Sequence, residues 1–168
     1  GALGGRISHK LAEAGANVAA VYNQGREQAE ALVAELRASG VEADTFQCDV
    51  TDPTQVEKMV SAAAQRFGKV DILVNDAAYN KWIPFADLDA MTYDDWDKIM
   101  SVNLNGPMYC IKAVAGLMRG RGSGRIVNIS SVAGMGPTGS SIPYAVSKAA
   151  LNHLTKCMAV ALAPEVLV

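Results

Sequence analysis

The sequence predicts an α/β fold built on a doubly wound parallel sheet. Short apolar runs alternate with longer stretches of helical periodicity, and several helical stretches end on a glycine. No linker, repeat or low-complexity segment interrupts the alternation. At 168 residues the chain reads as one domain, long enough to bury roughly 70% of its extended-chain surface.

The elements follow in order. "NVAAVY", 17 to 22, is an apolar strand, and Ala29, Leu32, Val33 and Leu36 then recur at i, i+3, i+4 and i+7 before Gly40. A second strand spans Ala43 to Cys48. Asp52 is the expected N-cap of the next helix, with Pro53 at its first position, Val56, Met59, Val60 and Ala63 on one face and Gly68 as its stop. "VDILVN", 70 to 75, is the third strand. A helix is expected over Tyr93 to Met118, a fourth strand over Arg125 to Ser130, and a last helix from Tyr144 to Ala163. Strands alternating with helices imply parallel pairing through right-handed crossovers.

Both ends depart from that scheme. "GALGG", 1 to 5, leads straight into the helical pattern of Ile7, Leu11 and Ala14, as a phosphate-binding turn between a first strand and a first helix would. The strand itself is missing, and because it would be central, its absence is expected to break the sheet. "VLV", 166 to 168, reads as a strand just begun. The expectation is therefore an internal piece of a domain of roughly 250 residues, lacking the first strand and the C-terminal strands.

Composition narrows the function. Half the residues are apolar, 19% are charged and the net charge is −2, which gives no general attraction to nucleic acid or to anionic membranes. Cys48, Cys110 and Cys157 are odd in number and lack C-x-x-C spacing, so reduced thiols are expected, with no disulfide framework and no metal site. No apolar run approaches ~18 residues and no signal peptide leads the chain, so a cytoplasmic location is expected.

"YAVSK", 144 to 148, sets a tyrosine four positions before a lysine at the start of the last helix. The pair is weak evidence alone. Its context is specific: Ser131 lies 13 residues before Tyr144, directly after the "RIVNIS" strand, and Asn103 sits in "SVNLNG" within the preceding helix. This constellation resembles the short-chain dehydrogenase/reductase family, with its Asn–Ser–Tyr–Lys tetrad and NAD(P)-binding Rossmann fold, over essentially the whole chain. The resemblance implies that Tyr144 is the general acid/base, Lys148 its activator and a ribose ligand, Ser131 the donor that polarises a carbonyl, and Asn103 a proton-relay residue.

The chemistry needs those types. A free tyrosine ionises near ~10, and an acid/base working at neutral pH needs a value nearer 7, a difference of roughly 4 kcal/mol. Positions i and i+4 share a helix face, so a lysine there lies beside the phenol and favours the phenolate. A serine at the C-terminal end of a parallel strand stands at the ligand-binding edge of such sheets, where its hydroxyl can donate to a developing alkoxide.

The nucleotide end matches less closely. The family's T-G-x-x-x-G-x-G pattern is entered midway; counted back from Leu11, Gly4 falls on its third glycine and Ala2 on its second. Gly1, Gly4 and Gly5 are the candidates for close approach to a pyrophosphate, a flexible N-terminal tail being the alternative. The resemblance puts Asp49 and Val50 of "CDVTD" at the adenine, although a loop N-cap would give the same aspartate. Asn75 and Ala77 of "NDAA" fall where the family has N-N-A-G, and Asp76 and Ala78 depart from that pattern. Where an NAD-preferring enzyme carries an acid, about 20 residues past the glycines, this chain has Tyr22 followed by Asn23, with Arg26 close enough to pair with a 2′-phosphate.

The expected cofactor is therefore NADP, with NAD as the alternative, and Tyr144 and Lys148 also count among its ligands. The expected activity interconverts a ketone and a secondary alcohol; a catalytically silent Rossmann binding protein is the competing class. Trp82, Met135 and Pro143 are candidates for the pocket wall, with core or loop packing as the alternative for each. "PMYCIKAVAGLM" and the last helix are apolar on more than one face, as in family members that pair into homodimers or homotetramers.

Overall fold

The apolar run at the start of the chain forms strand β1 (Val18–Tyr22), flanked by helices α1 (Ala2–Glu13) and α2 (Arg26–Ala38), in the computed structural model, which describes all 168 residues. Strand β2 (Ala43–Gln47) pairs with β1 in parallel from Val18 opposite Ala43 to Tyr22 opposite Gln47, and α3 (Pro53–Phe67) follows. Val18, Ala20, Ala43, Val33, Leu36 and Ala12 close one core, with Leu32 and Val41 packed against it. The Asp52 carboxylate caps α3 by accepting from the N–H groups of Thr54 and Gln55, and Gly68 ends it at φ +77°, a left-handed conformation that a Cβ would strain. These elements make up one unit, Gly1–Lys69.

The second unit, Val70–Val168, carries strands β3 (Ile72–Asn75), β4 (Gly124–Asn128) and β5 (Val166–Leu167) in the order β3-β4-β5, all parallel. Helices α4 (Tyr93–Met100), α5 (Gly106–Arg119) and α6 (Ile142–Leu162) connect them. Ile99, Ile111, Val114, Met118, Leu151 and Val166 are each at most 1% exposed and form its interior. No rung joins the two sheets, the break expected where no segment supplies a strand between the first and third apolar runs.

Three differences from the sequence reading have local causes. The helix expected over Tyr93 to Met118 is interrupted by a π-helical turn, Ser101–Asn105. Pro107 has no N–H, so the Asn103 carbonyl, which residue 107 would serve in an α-helix, has no donor there. The fourth strand stops at Asn128, short of Ser130, because the Ile129 carbonyl accepts from the Lys148 side chain at 2.8 Å. Finally, Gly4 and Gly5 form no tight turn, since α1 already begins at Ala2 and the amphipathic pattern downstream carries both glycines into the helix.

Candidate active site

The site is built on the first turns of α6. Ser141, fully buried and extended at φ −167°, caps the helix by accepting from the Tyr144 N–H at 3.4 Å, and Pro143 fits the first turn because no donor is needed there. Tyr144 is thereby fixed in the first turn with Lys148 one turn on. The Lys148 Nζ lies 5.8 Å from the centroid of the Tyr144 ring. Lys148 is only 3% exposed, and burial lowers its pKa from the ordinary lysine value, against the opposing pull of the Asp76 charge.

Ser131 enters from the end of β4 and opens a short 3-10 turn, Val132–Gly134. Its Oγ accepts from the Ala133 N–H at 3.2 Å, which leaves the hydroxyl proton available for donation. The turn is pressed onto α6: a Cβ at Gly134 would lie 2.7 Å from the Lys148 carbonyl carbon and 2.8 Å from its oxygen. Two hydrogen bonds hold the contact, Ser130 Oγ to the Lys148 carbonyl at 3.2 Å and Asn152 Nδ2 to the Gly134 carbonyl at 3.3 Å. Ser131 is thus referenced to the backbone of Lys148.

Asn103 is fully buried in the π-helical turn, and its amide is already committed. Its Oδ1 accepts from the Tyr79 N–H at 2.7 Å, while Nδ2 donates to the Tyr79 carbonyl at 3.0 Å and to Ser147 Oγ at 3.1 Å. Ser147 in turn donates to the Tyr144 carbonyl at 2.8 Å. All four tetrad residues therefore lie in the second unit and are tied to the same stretch of α6. The Asn103 side chain acts as a brace there, and its backbone carbonyl is the group that Pro107 leaves without an α-helical donor.

Asn75, 8% exposed, donates through Nδ2 to Asn128 Oδ1 at 2.8 Å, and Asn128 Nδ2 donates to Thr155 Oγ1 at 2.9 Å. This polar ladder fastens β3, β4 and α6 below the site. Ala77 is exposed. Of the candidate wall residues, Trp82 and Met135 are 75% and 85% exposed, whereas Pro143 is buried in the packing of α6. The loops that carry Trp82 and Met135 are joined by the Ile83 N–H to the Ser140 carbonyl at 2.9 Å and by Ser140 Oγ to Asn80.

In the first unit, Gly1 occupies the N-cap position of α1, which has no side-chain cap and no acid in its first turn. The Gly5 N–H is spent on the Gly1 carbonyl at 3.0 Å, while the Gly4 N–H belongs to the first turn, whose donors have no intrahelical partner. Tyr22 and Asn23 sit at the end of β1; the Cys48 N–H donates to the Tyr22 carbonyl at 2.8 Å and Gln47 Nε2 to the Asn23 carbonyl at 3.2 Å. Asp49 is half-buried. Its Oδ1 accepts from the Thr51 N–H and hydroxyl at 2.9 and 2.7 Å, bonds that hold its carboxyl below the usual aspartate range, and Val50 beside it is half-buried. Arg26 is exposed and donates through Nε to Glu30 at 2.6 Å. No helix of the chain is long and apolar enough to cross a membrane.

Three contributors escaped the sequence reading: Ser147, Gly134 and the Ile129 carbonyl. Only Gly134 left a visible signal, a glycine three residues after Ser131.

The short chain dehydrogenase family model matches residues 1–168. The dehydrogenase/reductase SDR family member 4 of Homo sapiens is 36% identical over 163 residues, covering 97% of this chain and 58% of that protein. Among solved structures, an NAD+-bound xylitol dehydrogenase superposes with a TM-score of 0.92 at 33% identity, over 99% of this chain and 63% of that one. A gluconate 5-dehydrogenase from Burkholderia cenocepacia J2315, in complex with NADP and tartrate, gives a TM-score of 0.86 at 37% identity, over 96% of this chain and 62% of that one. The chain thus spans about three fifths of the length of these relatives. With a family match from end to end, the chain belongs to the short-chain dehydrogenase family.

Proposed function

We propose that the protein carrying this chain is an NADP-dependent oxidoreductase that interconverts a ketone and a secondary alcohol. The observation that carries this reading is the buried Lys148 ammonium set beside the Tyr144 ring. In this reading Tyr144 takes the proton from an alcohol in oxidation and returns it to the carbonyl oxygen in reduction, with the Lys148 cation one helical turn away. The Ser131 hydroxyl, whose oxygen is oriented by the Ala133 N–H, donates to the same substrate oxygen as charge develops on it. Asn103 holds the π-helical turn against α6, and a relay of protons would run by its backbone carbonyl, since both amide hydrogens are already donated and Oδ1 accepts from Tyr79.

A nicotinamide cofactor fits the residues present. The uncapped, acid-free first turn of α1 offers N–H donors at Gly1 and Gly4 for a pyrophosphate. No carboxylate stands at Tyr22 or Asn23 to repel a 2′-phosphate, and Asp49 with Val50 would face the adenine. Asn75 and Ala77 would line the adenosine side, and Tyr144 and Lys148 the nicotinamide ribose. When bound, the cofactor supplies the hydride donor or acceptor. The pairing of Arg26 with Glu30 favours a second reading, an NAD-dependent alcohol or sugar dehydrogenase, because Glu30 already holds the arginine proposed for the 2′-phosphate. The exposed Leu117 on α5 and Val160 on α6 support assembly into a homodimer or homotetramer through these helices.

Replacing Tyr144 with Phe in the intact protein tests the reading. It removes only the ionisable oxygen, so turnover should fall by well over tenfold while nucleotide affinity is kept. Retention of more than about a tenth of the activity, an effect below ~1.4 kcal/mol, would sink the acid/base assignment.

A further inference from the structure

Between β3 and α4, the segment 79–83 is tied down residue by residue. The Tyr79 N–H and carbonyl are both held by the Asn103 amide, and Lys98 Nζ lies 4.3 Å from the centroid of the Tyr79 ring. Asn80 accepts from Ser140 Oγ. Lys81 Nζ donates to both oxygens of Asp95, at 2.8 and 2.7 Å, and this buried carboxylate also accepts from the Thr92 hydroxyl at 2.8 Å. Ile83 is buried, and its N–H donates to the Ser140 carbonyl at 2.9 Å. The remaining residue, Trp82, is exposed. A large apolar ring thus stands in water on a backbone fixed on both sides.

The segment that holds it also runs past Tyr144. A Cβ at Gly139 would lie 3.7 Å from Tyr144 Cδ1 and 2.8 Å from Ala133 Cβ, so the residue before Ser140 packs against both the Tyr144 ring and the turn that follows Ser131. That turn carries two more exposed apolar side chains, Val132 and Met135, and a spacing of three places them on one side of a 3-10 turn. Between residues 132 and 147 the chain has no Asp, Glu, Lys, Arg or His.

We infer that Trp82 is a specificity-determining residue that receives an apolar ring substituent of the substrate carbonyl, with Val132 and Met135 extending the same apolar rim. The inference rests on the oxidoreductase reading and deepens it by naming the substrate class. A ring already fixed at its backbone loses little freedom on contact and gains the burial of its large apolar surface. A polyhydroxylated substituent would instead give up its hydrogen bonds to water against a wall with no charged partner.

The test compares acetophenone with dihydroxyacetone, a ketone of opposite character, in the intact protein. In protein labelled with nitrogen-15, the Trp82 indole N–H resonance is assigned by its loss in Trp82→Phe. With oxidised nicotinamide nucleotide present, so that no ketone is reduced, the resonance should shift saturably with acetophenone and stay in place with dihydroxyacetone. This measurement uses the wild-type chain and stands whatever a substitution does to folding. In ketone reduction, Trp82→Ala should raise KM for acetophenone roughly tenfold with kcat kept within about twofold, and Trp82→Phe should stay near the wild-type value. Neither should change KM for dihydroxyacetone by more than about twofold. Equal losses on both ketones, a fall in kcat with KM unchanged, or an indole resonance that acetophenone does not move overturns the inference. A saturable shift in a protein that reduces neither ketone upholds the apolar contact and overturns the oxidoreductase reading alone.

Discussion

Asn103 Nδ2 donates to Ser147 Oγ at 3.1 Å, joining the π-helical turn to α6 one residue before Lys148. The same amide grips the backbone of Tyr79 through both its atoms. Asn103→Ala would strand the Tyr79 N–H and carbonyl and one side of Ser147, and unpaired buried polar groups cost roughly 1–3 kcal/mol each. The expected loss of unfolding free energy is about 3 kcal/mol, against about 1 kcal/mol for Ser147→Ala. In urea denaturation followed by tryptophan fluorescence, the double variant should lose less than the sum of the two, because both changes remove the same bond. Strict additivity would mean that the brace does not exist.

Gly134 is required by proximity. It sits directly against the Lys148 backbone, where a Cβ would stand 2.7 Å from the carbonyl carbon, and against Asn152 Nδ2, which a Cβ would approach to 2.8 Å. Backbone cannot rotate away as a long side chain can. Gly134→Ala should therefore cost roughly 1–3 kcal/mol and lift the Ser131 turn from α6. Gly136→Ala is the matched control, since nothing lies within 4 Å of its Cβ position. Equal melting temperatures for the two variants would show that the turn is not pressed against the helix.

Strands β1 and β3 are readable from sequence because they are short apolar runs of the right length, and α3 because Asp52, Pro53 and Gly68 mark both of its ends. Tyr144, Lys148 and Ser131 are readable because their spacing is local and carried by side-chain type. Asn103 can be picked out by its context, yet its brace to Tyr79 and Ser147 joins residues 24 and 44 positions apart, a distance no helical or strand period encodes. The interruption of the long helix does have a sign in the sequence, Pro107. It lies inside an otherwise apolar helical pattern, and periodicity outweighs a single residue unless the lost donor is counted. The Lys148 bond to Ile129 has no sign at all, because a backbone carbonyl has no residue type.

The lowered pKa of Lys148 fixes the sign of a stability change. Burial makes the folded chain hold this proton less tightly than the unfolded chain, in which lysine ionises at its ordinary value near ~10.4. Below the folded pKa both states are protonated and the full cost of the buried charge is present. Between the folded and unfolded values the unfolded state binds more protons, so the contribution of this group to stability rises with pH. Lys148→Met, which keeps the stem and removes the charge, should flatten that rise. The difference in unfolding free energy between wild type and Lys148→Met, measured in urea across alkaline pH, should shift in favour of wild type as pH increases. A difference independent of pH would mean that Lys148 is not held charged at a cost.

The proposed preference for NADP rests on Arg26 and its partner. Arg26 Nε donates to Glu30 Oε1 at 2.6 Å across one turn of α2, and both side chains are exposed, at 75% and 50%. An exposed pair of this kind is screened by water and salt, so Glu30 holds the guanidinium loosely and competes with a phosphate for the same fork of donors. Arg26→Ala should weaken NADP binding while leaving NAD nearly unchanged, because only NADP carries the 2′-phosphate. Glu30→Gln should do the opposite, freeing Arg26 and tightening NADP alone, and Tyr22→Asp should move preference toward NAD by placing a like charge against the phosphate. Calorimetric titration of the intact protein with each nucleotide reads all three variants. If Glu30→Gln and Arg26→Ala alter NADP and NAD affinity equally, Arg26 is only a solvated residue at the start of α2, and the preference for NADP falls with it.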